Sequence, residues 1–263
     1  MLTLYHGATS VCSQKARLAM AEKGHEWENR QVDLAKGGQF DPDYLKLNPN
    51  AVVPTLVHDG FVLPESSAIV KYLDGFGDGP RLTPADPKAA ALTDLWLVRT
   101  LAIHEAINSL TFATTVRDMQ LANRTPEEIE QWISMLPNPQ IRAKRRDLME
   151  NGPDSVFVDG ALHVFRLVFT DMDTMLQRGP FLTGEAYGMT DTALTAYIDR
   201  LDRLGLSGLW TETGFESVTP WLDRMKRRES YGVAIDSFIP PAAAEAQRQS
   251  GRNAWSSIEK RLG

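Results

Sequence analysis

Strand-like segments in this chain are confined to its N-terminal part, and this distribution limits the possible folds more than any other feature. Two short strand patterns cover residues 2–5 and 27–34, with a helical pattern over 11–24 between them. Two apolar runs then flank Asp59-Gly60, a dipeptide that is typical of a tight hairpin turn. The order strand, helix, strand, short helix, hairpin, helix predicts a small mixed sheet with helices on its faces.

The segment 75–87 (GFGDGPRLTPADP) marks a domain boundary, because it is rich in glycine and proline and has no apolar period. Beyond it the strand signals almost vanish, and a long helical pattern covers 89–117. Thr125-Pro126 adds a clear helix start, since threonine is a good N-cap and proline suits the first turn. We therefore predict an α/β N-terminal domain (βαβ-ββα) followed by an all-α C-terminal domain. The predicted bounds are 1–78 for the first domain, 79–87 for the linker, 88–236 for the helical domain and 237–263 for a polar C-terminal tail.

Composition excludes several classes of protein. A net charge of −6 argues against a nucleic-acid partner, which usually requires a basic patch. No apolar run reaches the roughly 20 residues that span a bilayer, and the start MLTLYHGATS lacks the features of a secretory signal. A single cysteine, Cys12, excludes both an internal disulfide and a dithiol redox pair. We expect a soluble, cytoplasmic protein with no membrane partner and no metal.

The turn from the first strand into the first helix is the most informative segment for chemistry. Backbone N–H groups at such a helix start lack partners and face whatever lies beyond the strand. Ser10 is either a helix N-cap without further function or a hydroxyl that donates to an incoming thiolate, and the two roles are compatible. Ser13 offers a second hydroxyl. We interpret Cys12, two positions from Ser10, as a mostly buried, non-catalytic thiol.

Two further segments have both a structural and a functional interpretation. Proline at the start of an apparent strand, as in Val53-Pro54, is unusual, and a cis peptide bond would explain it. Glu65-Ser66 stands at the start of a predicted helix, where an acid and a serine are ordinary capping residues. The same pair is also suited to hold the charged end group of an amino acid.

Five motifs in this order and spacing are similar to those of one protein family. They are Ser10-x-Cys12-Ser13, Leu47-Asn48-Pro49 with Val53-Pro54-Thr55-Leu56, Glu65-Ser66-Ser67-Ala68-Ile69, Phe181-Leu182-Thr183-Gly184 and Thr190-Asp191-x-x-Leu194. The set resembles the serine-type cytosolic glutathione transferases of the theta and zeta classes. The resemblance implies a thioredoxin-like domain that binds glutathione and a helical domain that shapes the site of a small hydrophobic electrophile. It also implies a homodimer and a role in detoxification.

The resemblance assigns roles to residues around the bound tripeptide. Ser10 would hold the glutathione thiolate, with Ser13 as the alternative if the motif is shifted by one turn. The backbone of Val53 would pair with the cysteinyl part of glutathione, and Pro54 would be the cis proline of the family. The remaining contacts would be Glu65 and Ser66 on the γ-glutamyl group and Gln39 near the glycyl end.

The sequence departs from the family pattern at two positions. Many relatives carry glutamine or lysine before the Val-Pro pair, where this chain has Val52, so one polar contact to the peptide is missing or moved. The helix-capping motif usually opens with serine or threonine, where this chain has Gly188. Glycine costs only a few tenths of a kcal/mol as an N-cap, so the second departure weakens the motif without breaking it.

The second substrate is less well defined by the sequence. The segment 121–151 is similar to bacterial β-etherases, which implies glutathione-dependent cleavage of a β-aryl ether. The alternatives are a glutathione-dependent isomerase, which Val11 disfavours, and a non-catalytic protein that binds glutathione or another ligand. The basic residues of 142–146 are interpreted as a solvated helix face rather than an anion-steering patch. The aromatic and methionine side chains at helical spacing are interpreted as core: Trp96, Phe112, Met119, Trp132 and Phe165.

Overall fold

The computed structural model of this chain describes residues 1–262. It divides into two compact units, each built from separate stretches of chain, so the units do not follow chain order. Unit 1 comprises Met1–Thr100, Met175–Tyr197 and Pro220–Pro240, and unit 2 comprises Leu101–Thr174, Ile198–Thr219 and the chain from Pro241 onward.

Unit 1 contains the predicted mixed sheet of four strands in the order β2-β1-β3-β4. The strands are β1 (Leu2–His6), β2 (Glu28–Gln31), β3 (Thr55–His58) and β4 (Phe61–Leu63). β1 pairs parallel with β2 and antiparallel with β3, where Leu4 lies opposite Leu56. The hairpin between β3 and β4 is confirmed, since Asp59 and Gly60 both adopt positive φ, as a primed turn requires.

The first three helices flank this sheet as the sequence predicts. They are α1 (Val11–Glu22), α2 (Pro42–Leu47) and α3 (Ser66–Asp74). Gly24 has a φ of +65° just past the end of α1, the left-handed conformation in which glycine commonly ends a helix. The core formed here by α1, α3 and the sheet includes the fully buried Leu4, Ala16, Leu56 and Ile69.

The rest of the described chain is helical, which confirms the predicted fold class. The helices are α4 (Pro87–Thr111), α5 (Arg117–Asn123), α6 (Pro126–Ser134), α7 (Pro139–Asn151), α8 (Val156–Leu176), α9 (Met189–Arg203), α10 (Gly208–Thr211), α11 (Val218–Lys226), α12 (Glu229–Ala234) and α13 (Pro241–Glu259). The helical pattern predicted over 89–117 is interrupted by a π-helical turn at Phe112–Val116. None of the helices within residues 1–262 is both long and apolar enough to cross a membrane.

Two predicted helix starts have the expected capping geometry. Thr125 and Glu128 form a full capping box at the start of α6. At α9, the Asp191 carboxylate accepts a hydrogen bond from the Gly188 backbone N–H at 3.1 Å, so glycine serves as the first residue of the family's capping motif. Asp191 also accepts from the Trp221 indole at 2.8 Å, and burial raises its pKa to about 6.

The polar tail predicted from residue 237 is helical over Pro241–Glu259. Its buried positions, Gln247, Gly251, Ala254 and Ile258, recur at helical spacing, and two of them are small residues. A Cβ added at Gly251 would lie 1.4 Å from the carbonyl oxygen of Leu204, so the missing side chain is what lets α13 dock this closely. Counting large apolar residues therefore underestimates how well this segment packs.

The basic run on α7 is not a uniform solvated face. Lys144 pairs with Glu105 at 2.9 Å, and Arg146 pairs with Glu130. Arg145, by contrast, is 7% exposed. The interpretation of the run as a solvated face is therefore wrong for Arg145, which the helical spacing turns inward together with other buried residues of α7.

Candidate functional site

Ser10 caps α1 and remains partly exposed at the end of β1. Its Oγ accepts a hydrogen bond from the Ser13 backbone N–H at 3.3 Å. A hydroxyl that accepts this bond still has its own hydrogen to donate, so capping leaves Ser10 able to donate to an anion. The two roles that the sequence left open are thus compatible in the folded protein.

Ser13 is fully buried and has a structural contact of its own. Its Oγ accepts a hydrogen bond from the Gly7 backbone N–H at 3.2 Å, which ties the end of β1 to the first turn of α1. Of the two candidate hydroxyl groups, only that of Ser10 belongs to a residue with appreciable solvent exposure.

Arg17 holds the backbone that leads to Ser10. This side chain is fully buried, and its guanidinium donates to the carbonyl oxygens of Gly7 at 3.2 Å, Ala8 at 2.9 Å and Ala234 at 2.7 Å. Charge-assisted bonds of this kind are stronger than neutral ones. Sequence reasoning did not find Arg17, because an arginine in a helix is ordinarily assigned to the surface.

His6 completes the support beneath this turn. Its Nδ1 lies 2.8 Å from Nη1 of Arg17, and because a guanidinium only donates, Nδ1 must accept and the imidazole must be neutral. Burial, and then the charge of Arg17, lower the pKa of His6 to about 4. The turn before Ser10 is therefore stabilised by a buried cation, Arg17, which is itself hydrogen-bonded to the neutral His6.

The Val53–Pro54 peptide bond is cis, as the family resemblance implies. Val53 lies against the turn before Ser10, because a Cβ added at Gly7 would be 3.2 Å from Val53 Cγ2 and 2.7 Å from Leu34 Cδ1. A larger residue at position 7 would require the Leu34 side chain to shift and would crowd Val53. The structure thus brings Val53 and the Ser10 turn together.

The Leu47-Asn48-Pro49 motif has a structural explanation in the contacts of Asn48. Its Nδ2 donates to the Val52 carbonyl at 2.9 Å and to Thr55 Oγ1 at 3.2 Å. The Tyr44 hydroxyl also donates to the Val52 carbonyl and lies 3.0 Å from Thr55 Oγ1, within hydrogen-bond distance. These bonds fix the chain on both sides of the cis peptide, a role that the sequence alone did not reveal.

Glu65 and Ser66 begin α3. The Glu65 carboxylate accepts from the Ser67 backbone N–H at 3.0 Å and from the Ser66 hydroxyl at 3.2 Å. Glu65 is exposed, whereas Ser66 is 4% exposed. An exposed carboxylate beside a helix N-terminus presents both signs of charge, which is what the amine and carboxylate of an amino-acid end group require.

Lys15 links the starts of α1 and α3. It is almost fully buried, and its Nζ donates to Ser67 Oγ at 2.9 Å and to Thr100 Oγ1 at 3.2 Å. Burial lowers the pKa of Lys15, while Cys12 and Glu65 raise it. A buried cation at this point favours anions near the start of α1, and no local pattern of residues indicated its burial.

Cys12 is of intermediate burial, which agrees with the mostly buried thiol expected from the sequence. Its Sγ lies 3.9 Å from the hydroxyl of Tyr197, which is itself buried in unit 1. Burial is the main reason that the pKa of Tyr197 is raised well above its usual value.

Gln39 lies on a short 3-10 turn, Gly38–Phe40, between β2 and α2. Its Oε1 is buried and has no hydrogen-bond partner within residues 1–262. An unpaired amide oxygen of this kind is suited to accept from the N–H of a bound peptide. In the same part of the chain, no group of three or more His, Cys, Asp or Glu side chains is placed to hold a metal ion.

Comparison with known protein families gives a match over the unit that carries this site. A family model described as Glutathione S-transferase, N-terminal domain, matches residues 1–75. The chain is also 27% identical over 239 residues to the tetrachloro-p-hydroquinone reductive dehalogenase of Sphingobium chlorophenolicum, an alignment that covers 89% of this chain and 95% of that relative.

Two solved structures share the fold over most of both chains. The crystal structure of the β-etherase LigF from Sphingobium sp. strain SYK-6 superposes with a TM-score of 0.75 at 26% identity, covering 90% of this chain and 98% of LigF. A theta class glutathione S-transferase from Xanthomonas axonopodis pv. citri, solved with glutathione bound, gives a TM-score of 0.62 at 26% identity, with coverage of 89% and 96%.

Proposed function

Residues 1–75 make this chain a member of the glutathione S-transferase N-terminal domain family, as its motifs predict, and on that premise we propose its function. The protein is a glutathione transferase that binds glutathione in unit 1 and activates the thiolate at Ser10 for attack on a hydrophobic electrophile. Ser10 is favoured over Ser13 because Ser13 is fully buried and its oxygen accepts from Gly7.

The observation that carries this proposal is the grouping of recognition elements around the start of α1. The turn before Ser10 lies against Val53, and Lys15 of α1 bonds to Ser67 next to Glu65. These elements suit the three parts of one tripeptide: a thiol at Ser10, an extended backbone at Val53 and a charged end group at Glu65 and Ser66. Gln39, with its unpaired buried oxygen, is proposed to accept from the amide nearest the glycyl end.

Activation of the glutathione thiol requires that the site stabilise the thiolate over the thiol by a moderate free energy. A thiol with a pKa of about 8.5 is only about 3% ionised at pH 7, and lowering the pKa to about 6.5 needs about 2.7 kcal/mol. A charge-assisted hydrogen bond from Ser10 contributes about 1.5–3 kcal/mol. The dipole of α1 adds about 0.3–1 kcal/mol. The Ser10 hydroxyl and the helix start can therefore supply the whole shift.

Ionisation alone gives a modest rate gain, because a thiolate becomes less nucleophilic as its pKa falls. Holding the thiolate and the electrophile in a near-attack geometry contributes more, up to about 7–11 kcal/mol in well-oriented intramolecular reactions. The elements that fix the site, namely Arg17 behind the turn and Asn48 beside the cis peptide, therefore matter for rate as well as for folding.

For the electrophile we propose a β-aryl ether, on the basis of the likeness to LigF and of the segment 121–151. The thiolate sulfur attacks the carbon that bears the aryloxy group, a C–S bond forms, and the C–O bond breaks. The electron pair leaves with the oxygen as a phenolate, which takes a proton from solvent. The reaction is redox-neutral within this step and needs no metal.

Steady-state kinetics with a panel of electrophiles tests the function. Glutathione is supplied with β-aryl ethers, aryl halides, epoxides and unsaturated carbonyl compounds, and products are identified by mass spectrometry. Ser10→Ala is expected to lower kcat/KM several-fold at pH 7, because the loss of thiolate is only partly offset by the higher nucleophilicity of the less acidic thiol and the sulfur is held less firmly. Ser134→Ala, an exposed serine of α6, serves as the matched control.

Two outcomes would change the proposal. Glutathione binding without turnover of any electrophile would favour the non-catalytic binding protein. Turnover of other electrophiles but of no β-aryl ether, even at high enzyme concentration, would remove the ether-cleavage part and leave the transferase.

We also propose that the protein is a homodimer that works in the cytoplasm, where thiols are kept reduced. Support for the dimer comes from α4, which exposes Leu92, Leu95 and Val98 at 55%, 51% and 65%. Large apolar residues on one exposed helix are typical of a self-complementary interface. Light scattering should give twice the chain mass for the wild type and a smaller value for Leu95→Glu; a wild-type monomer would contradict the dimer.

A further inference from the structure

Arg145, in unit 2, carries a buried charge that the fold described above does not explain. It projects from α7 and is 7% exposed, yet neither its Nε nor its Nη1 has a hydrogen-bond partner within residues 1–262. Buried charges in proteins are normally paired, because an unpaired one loses its hydration without compensation. Burial lowers the pKa of Arg145 to about 9 and Glu105 raises it, so the group is charged at neutral pH.

No described carboxylate compensates this charge directly. Glu105 acts on Arg145 only at longer range, because its carboxylate is bonded to Lys144 at 2.9 Å and is 60% exposed. The neighbouring Arg146, in contrast, pairs with Glu130 on the surface. Arg146 is thus satisfied by the protein, whereas Arg145 is left with free donors.

Two aromatic rings lie near the guanidinium of Arg145. The Cζ of Arg145 lies 2.9 Å from the ring centroid of Phe112 and 5.9 Å from that of Trp132. The two rings are nearly parallel, with centroids 6.2 Å apart. The guanidinium thus stacks on Phe112 with Trp132 to one side, and a stacked guanidinium keeps the planar fork of donors that matches a carboxylate.

Phe112 is also the first residue of the π-helical turn Phe112–Val116. Such turns are rare, cost helix stability and occur frequently at functional sites. Here the turn starts at the ring that contacts Arg145. The unusual backbone and the unpaired cation therefore coincide.

We propose that Arg145, Phe112 and Trp132 form a binding site for an aromatic carboxylate. The carboxylate would accept from the free guanidinium donors, and its ring would pack against the outside of the Phe112–Trp132 pair, whose own rings are too close together to admit a third. An inorganic anion fits less well, because it brings no apolar surface to a site whose other walls are rings. The site lies wholly within unit 2 and does not depend on glutathione, so it goes beyond the proposed transferase function.

Calorimetric titration of the full chain, without glutathione, tests the proposal with three small probes. Benzoate carries both the charge and the ring, benzamide lacks the charge, and acetate lacks the ring. The wild type should bind benzoate at least tenfold more tightly than either of the other two. Equal affinity for benzoate and benzamide would overturn the proposal without any variant being made.

Variants then assign the binding to Arg145. Arg145→Gln should weaken benzoate binding at least tenfold, whereas Arg146→Gln, which changes the adjacent exposed arginine, should leave it unchanged. Trp132→Phe should keep benzoate binding but lose most of the quenching of tryptophan fluorescence that benzoate causes. If Arg145→Gln folds and binds benzoate as the wild type does, the site is not the one proposed.

A stability measurement separates this role from a purely structural one. Removing an unpaired buried charge should raise the Tm of the ligand-free protein, because binding sites are often kept at a cost to stability. Arg145→Met is therefore expected to melt at a higher temperature than the wild type and to lose any upward shift on addition of benzoate. A lower Tm for Arg145→Met would show that Arg145 serves the fold, contrary to the proposal.

Discussion

His6 should make the stability of this protein fall as the pH is lowered from about 6.5 to about 4. The imidazole is fully buried and accepts a hydrogen bond from Arg17, which requires its neutral form. Burial and the charge of Arg17 lower its pKa to about 4, against 6.5 for an unperturbed histidine. His6 therefore binds a proton less readily in the folded protein than in the unfolded chain.

The sign and size of the effect follow from this difference. Because the folded pKa lies below the unfolded one, the contribution of His6 is fully present above about pH 6.5 and is lost as the pH falls towards 4. A difference of about 2.5 pKa units, at 1.36 kcal/mol each, corresponds to about 3 kcal/mol. That is a large part of the stability of a typical domain.

Urea unfolding followed by tryptophan fluorescence, at several pH values between about 7.5 and 4, measures this contribution. His6→Gln keeps an acceptor for Arg17 but cannot titrate, so the free energy of unfolding of the wild type should drop by about 3 kcal/mol more than that of the variant. His163→Gln, which changes an exposed histidine of α8, should follow the wild type. Parallel curves for the wild type and His6→Gln would refute the reasoning.

Three further substitutions test other parts of the structure. Gly251→Ala would place a Cβ 1.4 Å from the Leu204 carbonyl oxygen, so α13 should undock and limited proteolysis should remove the C-terminal segment faster; Gly232→Ala, with nothing within 4 Å, should not change cleavage. Thr125→Ala breaks the capping box of α6 and should lower the free energy of unfolding by about 1 kcal/mol in urea titrations. Arg17→Met leaves three carbonyl contacts unmade and should cost about 3–5 kcal/mol by the same measurement; a loss below 1 kcal/mol would contradict its supporting role.

Local signals made many of the turns and helix ends of both units predictable from the sequence. The Asp59-Gly60 hairpin, the glycine stop after α1 and the capping box at Thr125 are each encoded within a few residues. Such features depend on backbone conformation and near-neighbour hydrogen bonds, which a linear sequence displays directly. The cis isomer at Val53–Pro54 was implied only by the family resemblance, because the sequence alone does not determine the isomer of an X–Pro bond.

The long-range contacts of buried charged residues could not be predicted from the sequence. Lys15, Arg17 and Arg145 all stand in helical segments where charged residues are ordinarily exposed, yet all three are buried. Their burial depends on partners that are distant in sequence, such as Thr100 and Ala234, or on aromatic rings of other helices. No local pattern distinguishes them from the exposed Arg146.

The order of the tail could not be predicted for a related reason. In the tail, glycine and alanine pack closely although they carry little hydrophobic signal. Ser10 was identified from the sequence because a serine at a helix start is a recognisable signal. The residues that hold its turn in place, Arg17 and His6, carry no such signal.

The proposed role of Ser10 is tested most directly by the pKa of the glutathione thiol while it is bound to the protein. The ultraviolet absorbance of the thiolate is titrated with pH for the wild type, for Ser10→Ala and for the exposed control Ser134→Ala, each saturated with glutathione. The wild type and the control should give a thiol pKa of about 6.5, and Ser10→Ala should return it by about 1–2 units towards 8.5, the loss expected for one charge-assisted hydrogen bond. A bound thiol that titrates near 8.5 in the wild type, or an unchanged value in Ser10→Ala, would contradict activation at Ser10.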